Sequence, residues 1–105
     1  MEVAVLTRDL MFFSAVEGVA GAMGHRAVQH ESLDALGDPG IIIADLGSLD
    51  LDPAALAAHD PLRTHAFAPH VRTDLFAAAR AAGLQIYRRG ALATELPRLL
   101  TEYST

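Results

Sequence analysis

The chain has 105 residues and no cysteine, and its formal net charge at pH 7 is −5. This length suits a single domain over residues 1–105, and the lack of cysteine excludes disulfides, thiolate metal sites and a cysteine nucleophile. All eight basic residues are arginines, so a Schiff-base or P-loop lysine is excluded, and the acidic balance argues against nucleic-acid binding.

Hydrophobic residues form 51% of the chain, and its mean hydropathy is +0.26. So apolar a composition predicts a sizeable core and some apolar surface that a partner covers. No apolar run approaches the roughly 20 residues that a membrane-spanning helix needs. The N-terminal MEVAVL lacks the basic region and the cleavage site of a signal peptide. We therefore expect no membrane partner and a cytoplasmic location.

Strand-like and helix-like segments alternate from the N-terminus onward. Asp9 is placed to cap a helix that begins near Leu10, and Gly24 is placed to end it. The spacing of apolar residues supports this helix, because they recur at helical intervals. The other elements predicted for the first 36 residues are short strands over 3–6 and 25–29 and a brief second helix over 32–36.

IIIADL (41–46) is the most strand-like segment of the chain. It lacks polar alternation, which is typical of a central parallel strand that is buried on both faces. Asp52 and Pro53 then form a strong helix start, because a capping side chain precedes a proline at the first helical position. This helix is predicted to run to about His59.

The rest of the chain continues the alternation, with strands predicted over 64–68 and 84–88 and a helix over 71–83. Pro97 fits the first turn of a helix better than its middle, so the last helix is predicted to begin near Thr94. Alternation of this kind implies right-handed crossovers and a parallel sheet covered on both faces. The predicted fold is α/β: a single flavodoxin-like, three-layer domain with a five-stranded parallel sheet in the order 2-1-3-4-5.

In this strand order, ligands bind where the carboxyl ends of strands 1 and 3 meet, because the order of the sheet switches there. Asp45 ends the third strand and therefore lies at that edge. The other residues predicted to line the same pocket edge are Thr7, Arg8, Asp9, Pro69, His70, Arg88 and Arg89.

Across nearly its whole length the sequence resembles the receiver domains of response regulators. IIIADL has the form of the family's third strand, which places Asp45 at the phosphoacceptor position. Tyr87 and RRGA (88–91) follow a glycine, as in the family's fifth strand, and Arg89 is the nearest match to the family's lysine. The resemblance implies a signalling domain.

Two parts of the family's phosphotransfer site are replaced in this sequence. Thr7 and Arg8 stand where the family has adjacent acidic residues that hold Mg²⁺, an ion that needs several oxygen ligands. Ala68, Pro69 and His70 stand where the family has a hydroxyl residue followed by a small one. The chain therefore resembles a degenerate receiver, or pseudo-receiver.

Asp45 is open to two interpretations. The first is a phosphoacceptor, which without Mg²⁺ loses the main electrostatic support for phosphoryl transfer. The second is a partly exposed carboxylate that closes the strand end and pairs with Arg8 or Arg89. The arginines at this edge, Arg88 included, likewise form either an anion pocket or a set of surface ion pairs.

No metal site, cofactor or enzymatic turnover is expected. The five histidines include no pair at the i, i+4 helical spacing of a zinc motif. The serines lie outside any G-x-S-x-G nucleophile elbow, and the sequence places no base beside them.

The helix predicted over 71–83 is the strongest candidate for a protein interface. Its segment TDLFAAARAA carries only Asp74 and Arg80 as charges, so it has little polar face to turn toward water. Because homo-oligomers are most often two-fold dimers, we expect a homodimer through this helix. The predicted interface residues are Leu75, Phe76, Ala78, Ala79, Arg80, Tyr87, Leu96 and Leu99.

The expected function is that of an atypical receiver-like signalling domain that acts through protein–protein contacts and is not efficiently phosphorylated. One alternative is a module that binds a small anion or a phosphorylated metabolite at the carboxyl edge of the strands, around Arg8, Asp45 and Arg89. Another is a weak phosphoacceptor at Asp45.

Overall fold

The computed structural model describes residues 1–103. In this part of the chain the strands are β1 (Glu2–Leu6), β2 (Arg26–His30), β3 (Ile41–Asp45), β4 (Thr64–Ala68) and β5 (Gln85–Arg88). They form one parallel five-stranded sheet in the order β2-β1-β3-β4-β5. The predicted fold class and strand order are therefore confirmed.

Three α-helices connect strands, and a fourth follows β5. The helices are α1 (Leu10–Ala22), α2 (Pro53–His59), α3 (Thr73–Ala81) and α4 (Arg89–Tyr103). The brief helix predicted over 32–36 is a 3-10 turn, Leu33–Ala35, instead. Ser32 makes no side-chain cap there, and Gly37 follows at a positive φ of 66°, so the segment is too short to become an α-helix.

The central strand β3 is buried over its whole length. Its side chains alternate between the two faces of the sheet. Ile41 and Ile43 join the core that includes α1 and α4 residues, whereas Ile42 and Ala44 join the core that includes α2 and α3 residues. Because apolar layers cover both faces, the strand has no polar alternation, as its sequence predicts.

Two aspartates start helices as their sequence context predicts. Asp9 Oδ1 accepts hydrogen bonds from the backbone N–H groups of Met11 and Phe12, each at 3.0 Å. Asp52 Oδ1 accepts from Ala54 N at 3.0 Å, with Pro53 at the first helical position. Asp9 is thus bound to the first turn of α1, which bears on the site described below.

The predicted start of the last helix near Thr94 is wrong. α4 begins at Arg89, directly after β5, and contains Pro97 in its interior. Pro97 cannot donate a backbone hydrogen bond to the preceding turn. The helix continues through it because four leucines are buried on its inner side, Leu92, Leu96, Leu99 and Leu100, and their packing offsets the lost bond.

None of the helices in residues 1–103 combines the length and the apolar character needed to cross a membrane.

Candidate functional site

Asp45 is held inside the protein by three hydrogen bonds. It is the last residue of β3 and only 3% exposed. Its Oδ2 accepts from Thr7 Oγ1 at 2.7 Å, and its Oδ1 accepts from the backbone N–H groups of Gly47 and Ser48 at 3.1 and 3.2 Å. Both carboxyl oxygens are therefore engaged by donors of the chain itself.

Thr7 joins this carboxyl group to the start of α1. Its hydroxyl donates to Asp45 and accepts from Asp9 N at 3.0 Å, and the residue is fully buried. Ser48 Oγ lies 3.3 Å from Thr7 Oγ1 and accepts from Arg8 N at 3.1 Å. These bonds tie the loop after β1 to the turn after β3, so the two loops form one unit.

The turn after β3 also lies close to the loop after β4. A Cβ atom placed on Gly47 would meet Pro69 Cδ at 2.8 Å, a distance too short for van der Waals contact. Only glycine therefore fits this position without a shift of the loop. Pro69 thereby helps to cover the side of the turn that carries Asp45 Oδ1.

The expected ion pair between Asp45 and Arg8 or Arg89 is wrong. Arg89 pairs with Asp9 Oδ2, and this hydrogen bond, with that from Phe12 N, lowers the pKa of Asp9. Arg8 lies 3.9 Å from Glu31. The physical reason is that neutral donors occupy both oxygens of Asp45, whereas Asp9 and Glu31 present carboxylates nearer the surface.

Solved structures supply the comparison for this fold. No family model and no curated protein matches the sequence. A receiver domain protein from Clostridium thermocellum matches with a TM-score of 0.74 at 12% identity, over 97% of this chain and 92% of that one. The chain has the receiver-domain fold.

Two further receiver domains match over similar lengths. That of a sensor histidine kinase from Pseudomonas aeruginosa has a TM-score of 0.72 at 14% identity, over 97% of this chain and 95% of that one, and holds a magnesium ion in its active-site cleft. A receiver domain from Rhodospirillum rubrum has a TM-score of 0.66 at 14% identity, over 99% of this chain and 94% of that one.

The donor set at the corresponding edge of this receiver-fold chain does not suit magnesium. Mg²⁺ requires oxygen ligands in a near-octahedral arrangement, usually including carboxylates. Asp45 already accepts three hydrogen bonds, Asp9 both caps α1 and pairs with Arg89, and Arg8 brings a positive charge. Residues 1–103 also contain no group of three or more His, Cys, Asp or Glu side chains that could hold a metal ion.

The remaining residues of the predicted pocket edge are divided between two surface grooves. One, of about 330 Å³, lies beside the turn after β3, and Arg8, Ser48, Asp50 and Arg72 contribute its polar lining. The other, of about 240 Å³, lies between α3 and the end of β5 and is lined by His70, Thr73, Phe76, Ala77, Arg80 and Arg88. The arginines thus do not converge on Asp45.

The predicted interface residues do not form one surface. Ala79, Leu96 and Leu99 are buried in the chain's own core, so their assignment to an interface is wrong. Leu75, Phe76 and Tyr87 are half-buried, whereas Ala78 and Arg80 are exposed. The reason is that the sheet takes up most of the apolar side of α3, which leaves an outer side of small and charged residues.

Two features, one at the site and one away from it, escape prediction from the sequence. Ser48 and Gly47 complete the shell of Asp45, and the Asp-Leu-Gly-Ser order is a signal for an aspartate that bonds its own turn. His65, which is 1% exposed, has no comparable signal. Its partners Tyr87 and Tyr103 come from distant parts of the chain, with ring nitrogen to hydroxyl distances of 3.2 and 2.9 Å.

Proposed function

We propose that this chain is an atypical, receiver-like signalling domain that acts through protein–protein contacts and is not efficiently phosphorylated at Asp45. The proposal extends the fold to a role in signal transduction, in the cytoplasm and without enzymatic turnover. It rests chiefly on one observation: both oxygens of Asp45 accept hydrogen bonds from the chain, and the residue is 3% exposed.

The environment of Asp45 argues against phosphoryl transfer on two physical grounds. A carboxylate attacks a phosphoryl donor through an oxygen aligned with the leaving group. Here hydrogen bonds from Thr7, Gly47 and Ser48 stabilise the negative charge on both oxygens, and at 3% exposure the residue offers a phosphoryl donor little access. The developing charge on the phosphoryl oxygens also requires a cation, and the donor set suits no Mg²⁺. Both features support a domain whose signal does not depend on phosphate at this residue.

The proposed contact is a homodimer through the outer side of α3. Ala77 and Ala78 are exposed there, and Val71, just before the helix, is 71% exposed. Small exposed side chains allow two helices to approach closely, and an exposed valine adds apolar area at the edge of the patch. A second copy of the chain is favoured as the partner because the same α3 side on both copies can meet across a two-fold axis.

The proposal is tested by incubating the protein with acetyl phosphate and MgCl₂ and recording intact mass. Little or no phosphate adduct is expected on the wild type, with Asp45→Asn as the control for adducts at other residues. A near-stoichiometric adduct that is lost in Asp45→Asn would overturn the proposal. A minor adduct with the same dependence on Asp45 would favour the weak phosphoacceptor instead.

A further inference from the structure

Two arginines that form no ion pair line the same groove. Six arginines form ion pairs with carboxylates at 3.9 Å or closer: Arg8, Arg26, Arg63, Arg72, Arg89 and Arg98. Within residues 1–103, which include all eight arginines, Arg80 and Arg88 form none. Both line the groove between α3 and the end of β5.

The acidic residue nearest to this groove in sequence does not neutralise it. Asp74 is bound by Arg72 through two hydrogen bonds, each at 3.0 Å, which raise the pKa of Arg72 and lower that of Asp74. No Asp or Glu is among the residues that line the groove. In a chain of net charge −5, this is a local concentration of positive charge without its own counter-ion.

The groove also orients one of its cations. The Arg80 guanidinium carbon lies 5.6 Å from the centroid of the Phe76 ring, which is within the range of a cation–π contact. Such a contact uses the face of the guanidinium and leaves the N–H donors at its edge available. Thr73 adds a hydroxyl, and His70 adds an imidazole N–H in either tautomer.

We propose that this groove binds a phosphate group, either free or carried on a small molecule or a peptide side chain. Two guanidinium groups, a hydroxyl and an imidazole supply more donors than one planar carboxylate accepts, and they suit the several oxygens of a tetrahedral phosphate. The volume of about 240 Å³ is below that of a typical cofactor pocket, which suits a group of the size of phosphate.

This site is separate from Asp45 and independent of its chemistry. None of the residues that hold Asp45, namely Thr7, Gly47 and Ser48, lines the groove. The groove would therefore bind phosphate without any covalent step at Asp45, although Ala77 belongs both to its lining and to the proposed α3 contact. Through this groove the domain would respond to a phosphorylated ligand or partner even though Asp45 itself is buried and hydrogen-bonded.

The test is a titration with inorganic phosphate, followed by amide chemical shifts in NMR spectra. Saturable shifts are expected around Thr73, Ala77 and Arg88. Arg80→Gln and Arg88→Gln should each weaken binding by roughly three- to tenfold, since each removes one charged donor group. Arg26→Gln is the matched control, because Arg26 pairs with Glu2 at the opposite edge of the sheet, and it should bind like the wild type.

Two further measurements ask whether the bound phosphate is free or carried on a protein, and whether binding requires Asp45 or the proposed dimer. A peptide with one phosphoserine that binds more tightly than inorganic phosphate would identify a protein-borne group, whereas equal affinity would identify a free anion. The shifts should persist in Asp45→Asn and in Ala78→Glu, which removes the proposed dimer contact. The proposal is overturned if acetate binds as tightly as phosphate, if the shifts do not saturate, or if Arg26→Gln weakens binding as much as Arg88→Gln.

Discussion

Thr7 Oγ1 donates a hydrogen bond to Asp45 Oδ2 over 2.7 Å, between the carboxyl ends of two neighbouring strands. Both residues are buried, at 0% and 3% exposure. A hydroxyl at this position can stabilise the aspartate, whereas a second carboxylate would repel it unless a cation lay between them. Thr7 therefore completes a network of uncharged donors around the Asp45 carboxyl group.

Asp45→Ala is expected to lower the free energy of unfolding by about 2 to 3 kcal/mol, because it leaves the buried Thr7 hydroxyl and the backbone N–H groups of Gly47 and Ser48 without their acceptor. Asp45→Asn should lower it by only about 1 kcal/mol, since its amide oxygen can still accept from the turn. Urea titration measures both. Asp50→Ala, an exposed aspartate in the same loop, should stay within about 0.5 kcal/mol of the wild type, and equal effects at both positions would contradict the buried network.

Millimolar MgCl₂ is expected to leave the melting temperature of the wild type unchanged, apart from the shift that equal ionic strength of NaCl produces. The double variant Thr7→Asp, Arg8→Asp places two carboxylates beside Asp45 and removes a positive charge. It should melt lower than the wild type without Mg²⁺, because of like-charge repulsion, and should recover stability when Mg²⁺ binds. Differential scanning fluorimetry compares the two. A specific Mg²⁺ shift in the wild type would show that its own oxygens suffice.

The sequence is sufficient for the fold and for the position of Asp45, but not for the partners of Asp45. IIIADL and the Asp52–Pro53 cap are local patterns, and the structure confirms the strand and the helix that they predict. Charge alone predicts an ion pair between Asp45 and Arg8 or Arg89. The outcome depends instead on burial and on which donors the turns bring close, and these are set by tertiary packing.

The difference between local sequence patterns and tertiary packing also explains why the predicted start of α4 is wrong. Pro97 is a strong local signal against a helix interior, and the sequence-based start near Thr94 follows from it. The packing of Leu92, Leu96 and Leu99 into the core outweighs that signal. His65 is the opposite case. Its strand has no local sequence pattern that predicts the contacts of its ring with two tyrosines.

The stability of the protein should fall as the pH is lowered from about 6.5 to about 4. Burial lowers the pKa of His65 from 6.5 to about 4, with Arg98 lowering it further and Glu102 opposing. Over this interval the unfolded chain binds the proton and the folded chain does not, so acid favours unfolding. The full contribution, roughly 2 to 3 kcal/mol, is present above pH 6.5 and is lost as the pH approaches 4.

His65→Phe isolates this contribution. It removes the titrating ring, while Tyr87 can still donate to Gln85 and Tyr103 to the Leu62 carbonyl. Urea titrations at several pH values should show a flatter dependence between pH 6.5 and 4 than in the wild type. His59→Gln changes an exposed histidine and should keep the wild-type slope. If His65→Phe also keeps that slope, other groups account for the acid sensitivity.

The proposed α3 contact predicts that the wild type is a dimer and that Ala78→Glu is a folded monomer. Ala78 is exposed on α3, and a two-fold axis near it would bring the two introduced carboxylates together, which repels the copies. Ala15→Glu is the matched control, because Ala15 is exposed on α1, whose core lies on the opposite face of the sheet. It should leave the dimer intact. Light scattering of the three proteins at equal concentration gives the masses, and circular dichroism checks that each is folded. A monomeric wild type would contradict the homodimer. A dimer that both substitutions break equally would show that the contact does not lie on α3.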